Sequence, residues 1–165
     1  MNLSAIPAGS AVLIDANIAI HARHGMSEQC KHLFTRCAVG EVHGVMSSVV
    51  VAEFCHRRMM QEAQSLGLCG SNPAKALGGN PSLIAQLSQY AKDVEDLLAG
   101  DLRILPVESG DLLAALPLQR HYQLLTNDSL LLAIGLRAGV TAFATSDSQF
   151  DKVNNLTVFK PDDLT

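Results

Sequence analysis

Apolar and polar positions follow two rhythms along this chain. Short apolar runs recur between longer stretches in which apolar residues return every third or fourth position. The first run, Ala11-Val12-Leu13-Ile14, is bounded by Gly9-Ser10 and drives straight into Asp15. A run of this kind reads as a strand buried on both faces of a parallel sheet. We therefore expect a strand over 11–15, then a short helical turn through Ile18 and Ile20. Residues 27–38 set Cys30, Leu33, Phe34 and Cys37 at helical spacing, with Ser27 as N-cap and Gly40 as the stop. A second strand is expected over 42–46. A helix over 49–64 follows, capped by Ser47 or Ser48.

Residues 67–81 are rich in Gly, Asn and Pro and read as a loop. Residues 82–98 read as one helix with Leu83, Ile84, Leu87, Tyr90, Ala91, Val94, Leu97 and Leu98 on a broad face. A third strand is expected over 103–107. The helix over 109–121 should be kinked or interrupted at Pro117. Asn127 is placed to cap a helix over 128–137, closed by Gly139. A fourth strand over 140–145, a helical turn from Asp147 to Asp151, and an edge strand over 156–159 complete the chain. Strands alternating with helices predict an α/β fold: a three-layer α/β/α sandwich around a parallel sheet of four to five strands.

Composition narrows this. The chain has 165 residues, 48% of them apolar, which suits one domain over 1–165 with a core of its own. There is no Trp, so aliphatic side chains must fill that core. No apolar run approaches the roughly 20 residues that span a bilayer. The N-terminus lacks the basic lead and long apolar stretch of a signal peptide, so a cytoplasmic protein is expected, with no membrane partner. The four cysteines have no CxxC spacing and read as free thiols rather than a zinc site with His24 or His43. The six histidines are scattered and read as structural or solvated. The net charge of −4 argues against simple nucleic-acid binding. It argues less against a nuclease whose own site is a block of carboxylates.

Four carboxylates fall in equivalent places. Asp15 ends the first strand, Glu53 lies inside the helix after the second, Asp128 opens a late helix, and Asp147 follows the fourth strand. Each belongs at or near the C-terminal edge of the sheet, where open α/β folds bind ligands. Two carboxylates about 4 Å apart repel by on the order of 4 kcal/mol at an effective dielectric of 20. A converging group therefore needs protons or a cation, and oxygen ligands select Mg²⁺ or Mn²⁺. Taken singly, each has a structural alternative: Asp15 or Asp147 as a cap, Glu53 as the partner of Arg57 four residues on, Asp128 as a helix N-terminal charge. Asp151 reads as solvated.

The set of segments 13–17 (LIDAN), 47–53 (SSVVVAE), 127–130 (NDSL) and 145–150 (TSDSQF) resembles the PIN-domain family, and within it the small VapC-like toxin ribonucleases of toxin–antitoxin pairs. The resemblance implies a Rossmann-like sandwich, RNA cleavage dependent on Mg²⁺ or Mn²⁺, a homodimer, and a cognate antitoxin whose tail covers the active site. It implies Asp15, Glu53, Asp128 and Asp147 as metal-binding catalytic residues, with Thr145 and Asn17 supporting them. Arg57 is a candidate for substrate phosphate. The rival reading is a catalytically silent PIN-like module that binds protein or RNA. A haloacid-dehalogenase-like phosphatase needs a second Asp where Asn17 stands. Neither a Gly-rich phosphate loop nor a G-x-S-x-G elbow is present.

Overall fold

The computed structural model describes residues 1–164. Five strands, β1 (Ala11–Ile14), β2 (His43–Ser47), β3 (Leu102–Leu105), β4 (Ala142–Ala144) and β5 (Thr157–Phe159), form one sheet in the order β3-β2-β1-β4-β5. Every pairing is parallel. Seven α-helices accompany them: α1 (Ala16–Arg23), α2 (Glu28–Ala38), α3 (Ser48–Ser65), α4 (Pro73–Gly79), α5 (Gln89–Ala99), α6 (Ser109–Tyr122) and α7 (Thr126–Arg137). The result is the expected three-layer α/β/α sandwich. Val12, Leu13 and Ile14 on β1, Met46 on β2 and Phe143 and Ala144 on β4 are all shut off from solvent. That burial explains why the sheet strands are apolar on both faces. The chain builds outward from β1 to β3, then returns to the other side of β1 for β4. The β1–β4 boundary is therefore the point at which the strand order reverses.

The caps expected at Ser27 and Ser47 form: they accept the backbone N–H of Cys30 and Val50, at 3.0 and 3.2 Å. Helix α7 fits the sheet without clearance. A Cβ on Gly135 would sit 2.8 Å from the Phe143 ring and 3.0 Å from Leu13.

Four expectations need correction. The stretch 67–81 holds α4, started by Asn72, whose side chain caps Lys75, and by Pro73 in its first turn. The helix expected over 82–98 divides into a 3₁₀ turn at Pro81–Gln86 and α5. The cause is tertiary: the Glu62 carboxylate of α3 accepts the backbone N–H groups of Ser88, Gln89 and Tyr90 at 2.8–2.9 Å. It thereby sets a new helix start. Leu83, Leu87 and Tyr90 join a satellite cluster with Ala63 and Leu77, while Val94 and Leu97 face the main core. Ile84 and Leu98 stay exposed. Asn127 is not a cap, because α7 already begins at Thr126. Pro117 sits within an uninterrupted α6.

The buried face of α5 also holds a charge. Asp93 has no exposed side chain and pairs with Arg58 of α3 at 2.5 Å and with Arg23 of α1. Against the opposing cost of burial, hydrogen bonds from Gln89, at 2.8 Å, and from Arg58 and Arg23 hold its carboxyl below the usual range.

Candidate active site

The site is organised by the ends of β1 and β4. Asp15 follows β1 directly and caps α1, its Oδ1 accepting the Ala16 N–H at 2.6 Å. Its Oδ2 accepts from Thr145 Oγ1 at 2.7 Å and from Asn17 Nδ2 at 2.6 Å. Thr145 is wholly buried at the end of β4, so these bonds tie two neighbouring strand ends together. The hydroxyl of Thr145 also accepts from the Asp147 N–H at 3.0 Å and from Asn17 Nδ2 at 3.2 Å. A hydroxyl has one donor and two acceptor positions, and all three are used. Asn17 Oδ1 accepts the Ser146 N–H at 3.0 Å. That bond turns the Asn17 amide nitrogen toward Asp15. Asp147 in turn caps the 3₁₀ turn Ser148–Lys152, its Oδ1 taking the Gln149 N–H at 2.8 Å.

Two further carboxylates face the same edge. Glu53 lies on the second turn of α3 and pairs with Arg57 at 2.6 Å. Asp128 lies in the first turn of α7. Its carboxyl is pushed up to about 6, first by burial and then by the negative charges of Asp15, Asp147 and Glu53; the Leu125 N–H opposes the rise. Asp15 is also raised by burial, with Glu53 adding to the effect, while its bonds from Thr145 and Ala16 and the charge of Arg57 oppose it. Carboxylates from four separate segments thus share one field. Among the described residues, no three His, Cys, Asp or Glu side chains form a ready-made cage for an ion. Asp15 is held by three donors and Glu53 by Arg57. The donor set nevertheless fits a hard dication, being anionic and oxygen-only, with mutual repulsion that a cation relieves.

Other sequence candidates fall outside. Asp151 is exposed and pairs with Lys160 at 2.6 Å. Arg58, next to Arg57, turns the opposite way into the Asp93 pair. All four cysteines are free thiols, and burial pushes Cys37 up to about 11. One residue that the sequence reading set aside does reach the site edge. His21 lies one turn after Asn17 on α1, with Nε2 3.5 Å from Ser146 Oγ. Its signal was the i, i+4 spacing from Asn17, which puts both on one helix face.

Comparison with known proteins agrees with this architecture. The family model of the PIN domain matches residues 12–156. No curated protein matches the chain. Among solved structures, VapBC2 from Rickettsia felis, bound to a DNA fragment from their promoter, is similar with a TM-score of 0.61 at 15% identity. The match covers 92% of this chain and 99% of that one. A toxin–antitoxin complex from Klebsiella pneumoniae has a TM-score of 0.58 at 14% identity, covering 88% and 95%. VapC20 from Mycobacterium tuberculosis, a toxin that cleaves the sarcin–ricin loop, has a TM-score of 0.54 at 17% identity, covering 85% and 92%. At such identities the likeness is one of fold.

Proposed function

Because this chain belongs to the PIN domain family, we propose that it is an endoribonuclease dependent on Mg²⁺ or Mn²⁺, acting as the toxin of a toxin–antitoxin pair. The observation that carries the reading is the shared field of Asp15, Glu53, Asp128 and Asp147 at the reversal point of the sheet. Asp15, Glu53, Asp128 and Asp147 would hold the metal, which when bound supplies Lewis acidity and an activated water for phosphodiester hydrolysis. Thr145 and Asn17 orient Asp15 through the bonds described above, and outer contacts of this kind hold ligands in register. Arg57, half exposed, would meet a substrate phosphate by leaving its pair with Glu53 once a cation takes that carboxylate.

Two surfaces support the partners that go with this reading. A cavity of about 360 Å³ between α1, α2, α3 and α5 has an apolar floor that includes Phe34, Phe54 and Leu97, and charges at its rim. It suits an apolar anchor of an antitoxin segment. Leu112, Leu113 and Leu116 on α6 are more than half exposed and suit a contact with a second copy. No helix is long and apolar enough to cross a membrane among the described residues.

The decisive experiment compares purified protein with Asp15→Asn on a panel of structured RNAs, with Mg²⁺, Mn²⁺ or EDTA. Cleavage that needs the metal and disappears in the variant is the expected result; cleavage unaffected by Asp15→Asn would remove the assignment. The Glu53–Arg57 pair favours one rival, a silent PIN-like binding module, because it already neutralises one of the four acids. That rival predicts no heat of Mn²⁺ binding in a calorimetric titration and unaltered partner binding in Asp128→Asn.

A further inference from the structure

Next to Ser146, the neighbour of Asp147 in the chain, the ring of His21 is left in an unusual state. Its Nδ1 is buried with no hydrogen-bond partner. Its Nε2 has only the long contact of 3.5 Å to Ser146 Oγ. A buried N–H without an acceptor is rarer than a buried lone pair without a donor. The proton of the neutral ring therefore belongs on Nε2, and Nδ1 keeps the idle lone pair. Burial, His24 and Arg57 all disfavour the charged ring, which keeps it in this neutral form. The outcome is an N–H donor, weakly used, on the α1 face that also carries Asn17. His24 offers no such donor, since its Nε2 lies 2.6 Å from both Arg58 and Gln61.

Resting on the nuclease reading, we propose that His21 is a substrate-positioning residue: its Nε2–H donates to a non-bridging phosphate oxygen of the RNA, beside the Arg57 guanidinium. The chemistry divides the work. Arg57 supplies the charge that an acidic protein otherwise lacks at this edge. His21 supplies a directional donor on a rigid helix, which fixes where along the strand the phosphate sits. Ser146 gives up a 3.5 Å contact, which is at the outer limit of a hydrogen bond and costs little to break.

The two residues leave different signatures in binding. RNA affinity is measured by fluorescence anisotropy in the Asp128→Asn background, across a series of salt concentrations. His21→Phe keeps a ring of similar size without the donor. It should weaken RNA binding about tenfold and leave the salt slope unchanged, because a neutral donor releases no counterion. Arg57→Gln should weaken binding and lower the slope of log affinity against log salt by about 0.7, the value for one single-strand phosphate contact. His21→Gln restores an amide N–H near the Nε2 position and should recover most of the loss. In the otherwise unsubstituted protein, His21→Phe should raise KM and leave kcat nearly as it was.

Should His21→Phe fail to fold, the ¹⁵N shift of His21 Nε2 during RNA titration of the Asp128→Asn protein takes its place. An RNA-dependent change at Nε2 is the expected result, and an unmoved signal overturns the proposal. Metal-dependent cleavage with parental affinity and KM in His21→Phe would overturn the role of His21 alone. Absence of both RNA cleavage and RNA binding in the unsubstituted protein would overturn the nuclease reading, and the proposal with it.

Discussion

Asn17 shows how much one side chain can decide. Its Oδ1 takes the Ser146 N–H and its Nδ2 serves Asp15 and Thr145, so both ends of the amide are committed. Asn17→Asp keeps the size but replaces a donor with a second carboxylate facing Asp15. It should destabilise the protein by about 2–4 kcal/mol, more than Asn17→Ala, as read by urea unfolding at pH 7 without metal. Equal losses in the two variants would show that a carboxylate at this position does not repel Asp15. Asp128 gives a prediction of opposite sign. Its folded pKa is raised, so the native state holds the extra proton, and stability falls as pH rises from about 4 to about 6. Asp128→Asn removes that loss and should stabilise the metal-free protein at pH 7 by about 1 kcal/mol, after allowance for its solvent-exposed part. The same proton competes with a cation, so Mn²⁺ affinity should drop about threefold between pH 6.5 and 5.5 in calorimetric titration.

At the scale of elements, the site depends on how closely α7 lies on the sheet. Gly135 allows that approach, and a methyl there must displace Phe143 or lift the helix. Gly135→Ala should cost about 1–3 kcal/mol in thermal or denaturant unfolding and reduce metal-dependent cleavage, since the same helix carries Asp128. A variant as stable as its parent would mean that Phe143 yields freely. Helix α5 depends on a cap borrowed from α3. Glu62→Gln keeps one acceptor oxygen but removes the charge that meets three backbone N–H groups. Loss of amide protection at Ser88, Gln89 and Tyr90 in hydrogen exchange, with β1 and β4 unaffected, is the expected result. This cap also explains the division of the helix expected over 82–98. Periodicity marks the apolar positions Leu83, Leu87 and Tyr90 correctly, yet it carries no information on a distant carboxylate that restarts the backbone. The cap assigned to Asn127 missed for a related reason. Helix α7 starts at Thr126 with no side-chain cap, so local residue preference had nothing to report there.

At the scale of the molecule, the carboxylates whose pKa values are displaced fall into two groups with opposite dependence on pH. Asp93, held by Gln89 and two arginines, Asp111, held by Arg137, and Glu62, held by backbone N–H groups, have lowered pKa values. Their contribution to stability is present above the unfolded value of about 4 and is lost as pH falls below it through the lowered folded values. Asp15 and Asp128 are raised, and their ionisation weakens the fold as pH climbs. The metal-free protein should therefore melt at its highest temperature near pH 5. Millimolar Mn²⁺ should raise the melting temperature at pH 7 far more than at pH 5. A metal-free maximum at or above pH 7 would mean that the four acids do not repel one another as described.

By itself the sequence determined the strand-and-helix alternation, the sheet's buried strands, and the positions of the four acids. Each depends on local patterns: an apolar run long enough for a strand, and a polar residue stopping it at Asp15 or Thr145. Only the tertiary structure decided the strand order that sets β4 against β1, and with it the bonds from Thr145 and Asn17 to Asp15. It also decided that Arg58 turns inward while Arg57 stays at the site edge, and that His21 keeps an almost unused donor there. These outcomes depend on what lies across the fold from each side chain, and the energies of burial, pairing and repulsion arise only when distant segments meet.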